Sequence, residues 1–138
     1  MTVMVQKEVA ERLVAAPGTP EYGAITASLA LVADAEITRI VGRQMFTPPP
    51  SVDSAVVKIT IKDKGYAEEE ILFARKLIRA AFNMRRKTLG NGLASLFGGK
   101  EKANAVIAQA GFVSSVRGET LSAEDYVSLA RAARGLDG

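Results

Sequence analysis

The spacing of apolar residues changes period several times along the chain. Thr2-Val3-Met4-Val5 is a short β-prone run that predicts a buried strand, and charges begin at Gln6-Lys7-Glu8. Val9, Leu13 and Ala16 then recur at helical spacing up to Pro17-Gly18. Thr19-Pro20-Glu21 reads as a helix start, with Thr at the cap and Pro at the first position. Ile25, Leu29 and Val32 would be the apolar stripe of that second helix. Glu36 to Val41 alternates polar and apolar, as a strand does. Phe46-Thr-Pro-Pro-Pro-Ser has three prolines, so it can be neither helix nor mid-sheet. Ser54 to Ile61 follows as the clearest strand, with Val57, Ile59 and Ile61 on one face.

Asp63-Lys64-Gly65 breaks the pattern and marks a domain boundary. Everything after it has helical periodicity, with helices predicted at 68–83, 86–97, 100–110 and 122–134. Ser122 with Asp125 three residues on is a capping-box pattern, and Tyr126, Leu129, Ala130 and Ala133 share a face behind it. The expected class is α+β and mostly helical: mixed strands and helices first, then a small helical domain with a core of its own.

Composition narrows the chemistry. The 138 residues contain no Cys, no His and no Trp. Disulfides, thiolate nucleophiles, the usual zinc sites and every His-based triad are therefore excluded, and no metal is expected. The longest apolar or small stretch, Ile25 to Ala33, is too short to span a bilayer. Lys7 and Glu8 stand where a signal peptide would carry its apolar core. A cytoplasmic protein with no membrane partner is the expectation.

Net charge is only +3, but it is unevenly placed. Residues 75–87 hold six basic side chains and no acidic one: Arg75, Lys76, Arg79, Arg85, Arg86 and Lys87. At about 100° per residue, Arg75, Lys76, Arg79, Asn83, Arg86 and Lys87 fall within roughly 120° of arc. Ala74, Leu77, Ile78, Ala81 and Phe82 occupy the opposite side. Arg85 would land inside that apolar sector, so either the helix breaks near Asn83-Met84 or Arg85 turns inward to a carboxylate. Donors on one rigid element are what phosphates require, and Arg offers bidentate forks. An ordinary solvated face would mix signs more, which favours a polyanion.

Two other constellations stand out. The proline run would hold Phe46 stiffly near a strand end, where a ring can stack on a base, although from the residues alone a plain core role for Phe46, with the prolines ending a sheet edge, is the favoured reading. Arg117 and Glu119 could pair with each other or brace Arg85, a structural role.

Taken together, Met4-Val-Gln-Lys-Glu-Val-Ala-Glu-Arg-Leu-Val-Ala, Tyr22-Gly23, Phe46-Thr-Pro-Pro-Pro-Ser-Val-Asp-Ser-Ala-Val-Val, Ala80-Ala-Phe-Asn-Met-Arg-Arg-Lys-Thr-Leu and Arg117-Gly-Glu-Thr-Leu-Ser resemble the KsgA family of small-subunit rRNA adenine dimethyltransferases. The proline-rich motif alone also suits the related Erm methyltransferases. Gly90, where such proteins often have another Arg, and Ala24, where a larger residue is common, depart from the pattern.

The resemblance implies S-adenosylmethionine as methyl donor and an rRNA hairpin of the small subunit as substrate. It implies Phe46 as the catalytic residue that stacks on the target base. Arg75, Lys76, Arg79, Asn83, Arg85, Arg86 and Lys87 are then the rRNA-binding set. It also implies a preceding Rossmann-like half with a Gly-rich loop and an Asn-Leu-Pro-Tyr motif, and neither motif occurs in this sequence. Residues 1–62 would be the last strands and helices of the methyltransferase sheet, and 63–138 the helical rRNA-binding domain. Such a chain is expected to bind no cofactor alone, to be inactive alone, and to form a homodimer through its exposed N-terminal strands. The rival readings are an Erm-type fragment and a stand-alone RNA-binding or ribosome-assembly module without catalysis.

Overall fold

β-branched residues at alternate positions make the Ser54–Ile61 run the centre of the sheet. The computed structural model describes residues 1–48, 51–83, 88–113 and 115–137. Its elements are β1 (Thr2–Gln6), α1 (Lys7–Leu13), α2 (Ala24–Ala30), β2 (Ala33–Val41), β3 (Ser54–Ile61), α3 (Glu68–Asn83), α4 (Leu89–Phe97), α5 (Lys100–Gln109) and α6 (Ala123–Asp137). Short 3-10 turns lie at Arg43–Met45 and Gly118–Thr120. The class is α+β, with helices in the majority.

The strand order is β1-β3-β2, and both pairings are antiparallel. Ala55, Val57 and Ile59 turn to the face covered by α1 and α2, where they meet Ala10 and Ala33. Met4, Val56 and Lys58 turn to the other face. Ile61 does not join Val57 and Ile59 as its spacing predicts. It is 69% exposed, because the covering helices do not reach the end of β3.

Other expectations need correction. α1 ends at Leu13 rather than Ala16. Thr19-Pro20 does not start a helix: the Thr19 hydroxyl donates to Ala16 O (2.7 Å), closing the preceding turn, and α2 starts after Gly23. Ile25 is not part of a buried stripe; it is 62% exposed, while Thr26, Ala27 and Leu31 carry the buried side of that segment. β2 begins at Ala33, three residues before Glu36, because Ala33, Asp34 and Ala35 pair with Ile61, Thr60 and Ile59; Asp34 also meets Lys62 and Lys64 (both 2.7 Å) just beyond β3. α4 begins at Leu89, since Thr88 is extended at its N-cap, and α6 begins at Ala123 and runs to Asp137. The Ser122–Asp125 capping box is present, with reciprocal bonds of 3.0 and 3.2 Å.

The helical part does not close its core alone. Leu77, Ile78, Leu93, Ile107, Tyr126 and Leu129 are buried together with Tyr22, Ala27 and Leu31, which come from before the 62/63 division. The segment 117–121 joins the two parts. Tyr126 Oη donates to Gly118 O and Tyr22 Oη to Leu121 O, each at 2.7 Å, and Gly18 N donates to Glu119 O at 2.9 Å. Burial, with a smaller contribution from Asp125, pushes the Tyr22 hydroxyl up to about 12, and burial raises that of Tyr126 further, so both remain donors.

Gly118 is required by space. A Cβ there would stand 2.7 Å from both Ala81 Cβ and Tyr126 Oη. Gly118→Ala should therefore destabilise by about 1–3 kcal/mol, as overpacking does. Gly135→Ala, in α6 with nothing near its Cβ, should be neutral or stabilise by up to about 1 kcal/mol. Urea titration of the two variants checks this contrast.

Glu70 caps α3 by accepting from Ala67 N (2.9 Å) and pairs with Arg131 of α6, while Glu69 pairs with Arg134 (3.4 Å). Arg131, more than the Ala67 amide, holds the Glu70 carboxyl below the usual carboxylate range. Lys62 and then Lys64 pull Asp34 down to about 2. Both acids are depressed in the fold, so their contribution is present above the ordinary carboxylate pKa near 4 and is lost as pH falls through the lowered values. Melting temperature should hold from neutral pH to about 5 and drop between about 4 and 2. Glu70→Gln and Asp34→Asn should each flatten that acid limb in melts recorded across pH.

Candidate nucleic-acid interface

α3 places its charges in two separate lengths. Its first turn holds Glu68, Glu69 and Glu70, two of which are occupied by α6 arginines. Beyond it come Arg75, Lys76 and Arg79, all exposed, with Asn83 exposed at the end. Among the described residues these three cations form no ion pair and no side-chain hydrogen bond. On the opposite side Ala74, Leu77, Ile78 and Ala81 are buried and Phe82 is half-buried, as the periodicity predicts. The exposed donors are therefore fixed by a core that cannot rotate without expelling those apolar residues.

A groove runs along each side of this cationic crest. Arg75 and Arg79 border one against α2, lined by Ile25, Ser28, Leu29 and Val32. Lys76, Arg79 and Asn83 border the other against α4, lined by Gly92, Ser95 and Leu96. Arg79 belongs to both. Gly92 brings α4 close: its missing Cβ would lie 3.5 Å from the Ala80 carbonyl and Ala81 Cα.

Arg85, Arg86 and Lys87 lie outside the described residues, as do Pro49 and Pro50. Arg117 and Glu119 do approach each other, at 3.6 Å. The contribution of Arg117–Ser122 to the core escapes sequence reasoning, because backbone carbonyls that receive two distant tyrosine hydroxyls have no side-chain signature.

Phe46 is half-buried just after the Arg43–Met45 turn. Asp53 fixes that turn: its carboxylate accepts from Arg43 N (2.9 Å), and its carbonyl accepts from Lys7 N (2.9 Å) at the start of α1. The loop is thus tied to the β1–α1 junction. It borders a cleft of about 560 Å³ that includes Lys7, Glu11, Arg43 and Val52. Phe46 and the α3 cations are not brought together. Val32, which borders the α3 groove, precedes β2, whereas Phe46 follows it; nine strand residues span roughly 30 Å.

No helix among the described residues is long and apolar enough to cross a membrane, and no group of His, Cys, Asp or Glu could hold a metal there. Nor do the described residues form a Gly-rich strand-to-helix turn: β1 passes directly into α1, and Gly90 and Gly92 are buried within α4.

A sheet with one face covered by α1 and α2 thus carries a helical layer with a cationic crest and, at the far strand ends, an aromatic loop. The ribosomal RNA adenine dimethylase family matches residues 1–133, and the chain belongs to that family. It is 42% identical over 134 residues to ribosomal RNA small subunit methyltransferase A of Caldanaerobacter subterraneus subsp. tengcongensis, covering 96% of this chain and 50% of that protein. The Streptococcus pneumoniae protein of the same name is 42% identical over 138 residues, covering 96% and 48%. The chain thus spans about half the length of these curated relatives. Among solved structures, a dimethyladenosine transferase from Plasmodium falciparum superposes with a TM-score of 0.77 at 25% identity, over 93% of this chain and 54% of that one. The 23S rRNA methyltransferase ErmE gives 0.66 at 18% identity, over 96% and 54%, which shows a shared fold alone.

If the crest holds phosphates, Arg75→Ala with Arg79→Ala should lower the slope of log affinity against log salt by up to about two units, one for each phosphate no longer neutralised. The melting temperature should be unchanged, since both side chains are exposed. Anisotropy titrations of an rRNA hairpin at several salt concentrations measure the slope.

Proposed function

We propose that this chain is the C-terminal part of an S-adenosylmethionine-dependent rRNA adenine-N6,N6-dimethyltransferase that acts in the cytoplasm on the immature small ribosomal subunit. The observation that carries this reading is the family match over nearly the whole chain, combined with coverage of only half of each relative. In this reading residues 1–62 complete a Rossmann-like sheet and 63–138 hold rRNA. The outer edge of β1 is unpaired among the described residues, and Met4 beside it is 56% exposed. That edge is where the sheet of the other half would continue.

The methyl donor would be bound by the other half, and this chain's residues bind and orient the RNA. The cations of α3, with Arg85, Arg86 and Lys87, hold phosphates. Phe46, positioned through Asp53, stacks on the adenine once it has left the helix. The exocyclic amine is a poor nucleophile because its lone pair is delocalised, so position and orientation carry much of the rate.

Co-expression with the N-terminal half of the Caldanaerobacter relative tests the proposal. The expected result is a one-to-one complex that methylates adenine N6 in immature small subunits, whereas the chain alone is inactive and sediments as a homodimer through β1. Phe46→Ala in the complex should lower turnover roughly tenfold to a hundredfold with little change in rRNA affinity. A complex that assembles but never methylates, or activity from the chain alone, would sink the reading.

A further inference from the structure

The α2–α3 groove is unlike the rest of the cationic surface. Its volume is about 480 Å³, in the range of small-molecule sites. Its floor is aliphatic: Ile78 is fully buried, Leu29 and Val32 are half-buried, and Ile25 stands 62% exposed at the rim. Among the described residues, the charged ones bordering it are Arg75 and Arg79, one helical turn apart, and Ser28 adds a hydroxyl. A paired duplex offers phosphates and riboses at its surface and has nothing to lay on an aliphatic floor. An unpaired nucleotide has both parts: an apolar base face and flanking phosphates.

We propose that this groove is a second RNA subsite, separate from the loop of Phe46, which takes one unpaired nucleotide. The base lies against Ile25, Leu29 and Val32, and the adjoining phosphates meet Arg75 and Arg79. The proposal rests on the reading that this chain holds rRNA, and it deepens that reading. The crest supplies affinity for any RNA, and the groove selects single-stranded sites. An acidic protein segment would satisfy the arginines equally but would leave the aliphatic floor without a planar partner.

The test compares two RNAs of equal length and charge, a hairpin with an unpaired loop and a fully paired duplex, in anisotropy titrations with the 138-residue chain. The expected preference for the looped RNA is roughly tenfold or more, the worth of one stacked base. Ile25→Ser removes the rim without changing charge, and its exposure makes the fold indifferent to it. It should abolish most of the preference and leave duplex affinity intact. Lys76→Ala, which lies off this groove, should weaken both RNAs in proportion. Equal binding of the two RNAs, or a preference that survives Ile25→Ser, would overturn the subsite while leaving the rRNA-holding reading intact. Competition by polyglutamate as strong as by single-stranded RNA would overturn it in favour of an acidic protein. Failure to bind either RNA would overturn the underlying reading and the subsite with it.

Discussion

The close approach at Gly118 is the constraint on which the remaining packing depends. Without a side chain there, the 117–121 segment lies directly on Ala81 of α3 and beneath the Tyr126 hydroxyl. That contact sets the distance between α3 and α6. The same short segment receives Tyr22 and Gly18 from the first part of the chain. This one segment thus fixes both how the helices pack on one another and how α2 sits against them. Buried carbonyls need donors, and the two tyrosines supply them at a distance in sequence that no local rule anticipates.

This junction explains why the cationic crest is rigid. α3 is held at its start by Glu70, which closes its own cap and reaches Arg131, and near its end by Ala81 against Gly118. Rotation of α3 would break both anchorages and bury arginines. The exposed donors are therefore presented in one arrangement, and little ordering entropy is left for the helix to lose on binding.

Much of the architecture is legible in the residues. β3 alternates in burial from Ser54 to Thr60 and α3 carries an apolar arc, so periodicity alone predicts both elements, with Ile61 the exception. The failures have physical causes. Thr19-Pro20 has the composition of a helix start, but the threonine hydroxyl is spent on Ala16, and Tyr22 must turn inward before α2 can begin. Ala33-Asp34-Ala35 lacks β-prone residues; its backbone pairing with Ile59–Ile61, which periodicity cannot show, extends β2 there. The helical part has enough periodic apolar faces to suggest a core of its own. The contributions of Ala27 and Leu31 come from a helix of seven residues and its cap, on the side opposite the Ile25-Leu29-Val32 stripe that its spacing suggests. The cations of α3 form one exposed row, as their spacing predicts, but a sequence could not reveal that Ile25, an apparent core residue, forms the other wall of a groove beside them.

The separation of charge along α3 has a kinetic consequence. Its glutamates stand at one end and its cations about two turns further on, along a helix of 16 residues and so about 24 Å long. Two turns are about 11 Å, a little more than the Debye length of about 8 Å at physiological ionic strength, so an approaching polyanion senses the two groups largely apart. Glu69 and Glu70 are paired with Arg134 and Arg131, so the acidic turn repels only weakly, and it is the cations at the other end, unpaired among the described residues, that exert a torque before any contact forms. The chain would meet RNA already turned toward its crest, and the association rate, more than the lifetime of the complex, would register this asymmetry.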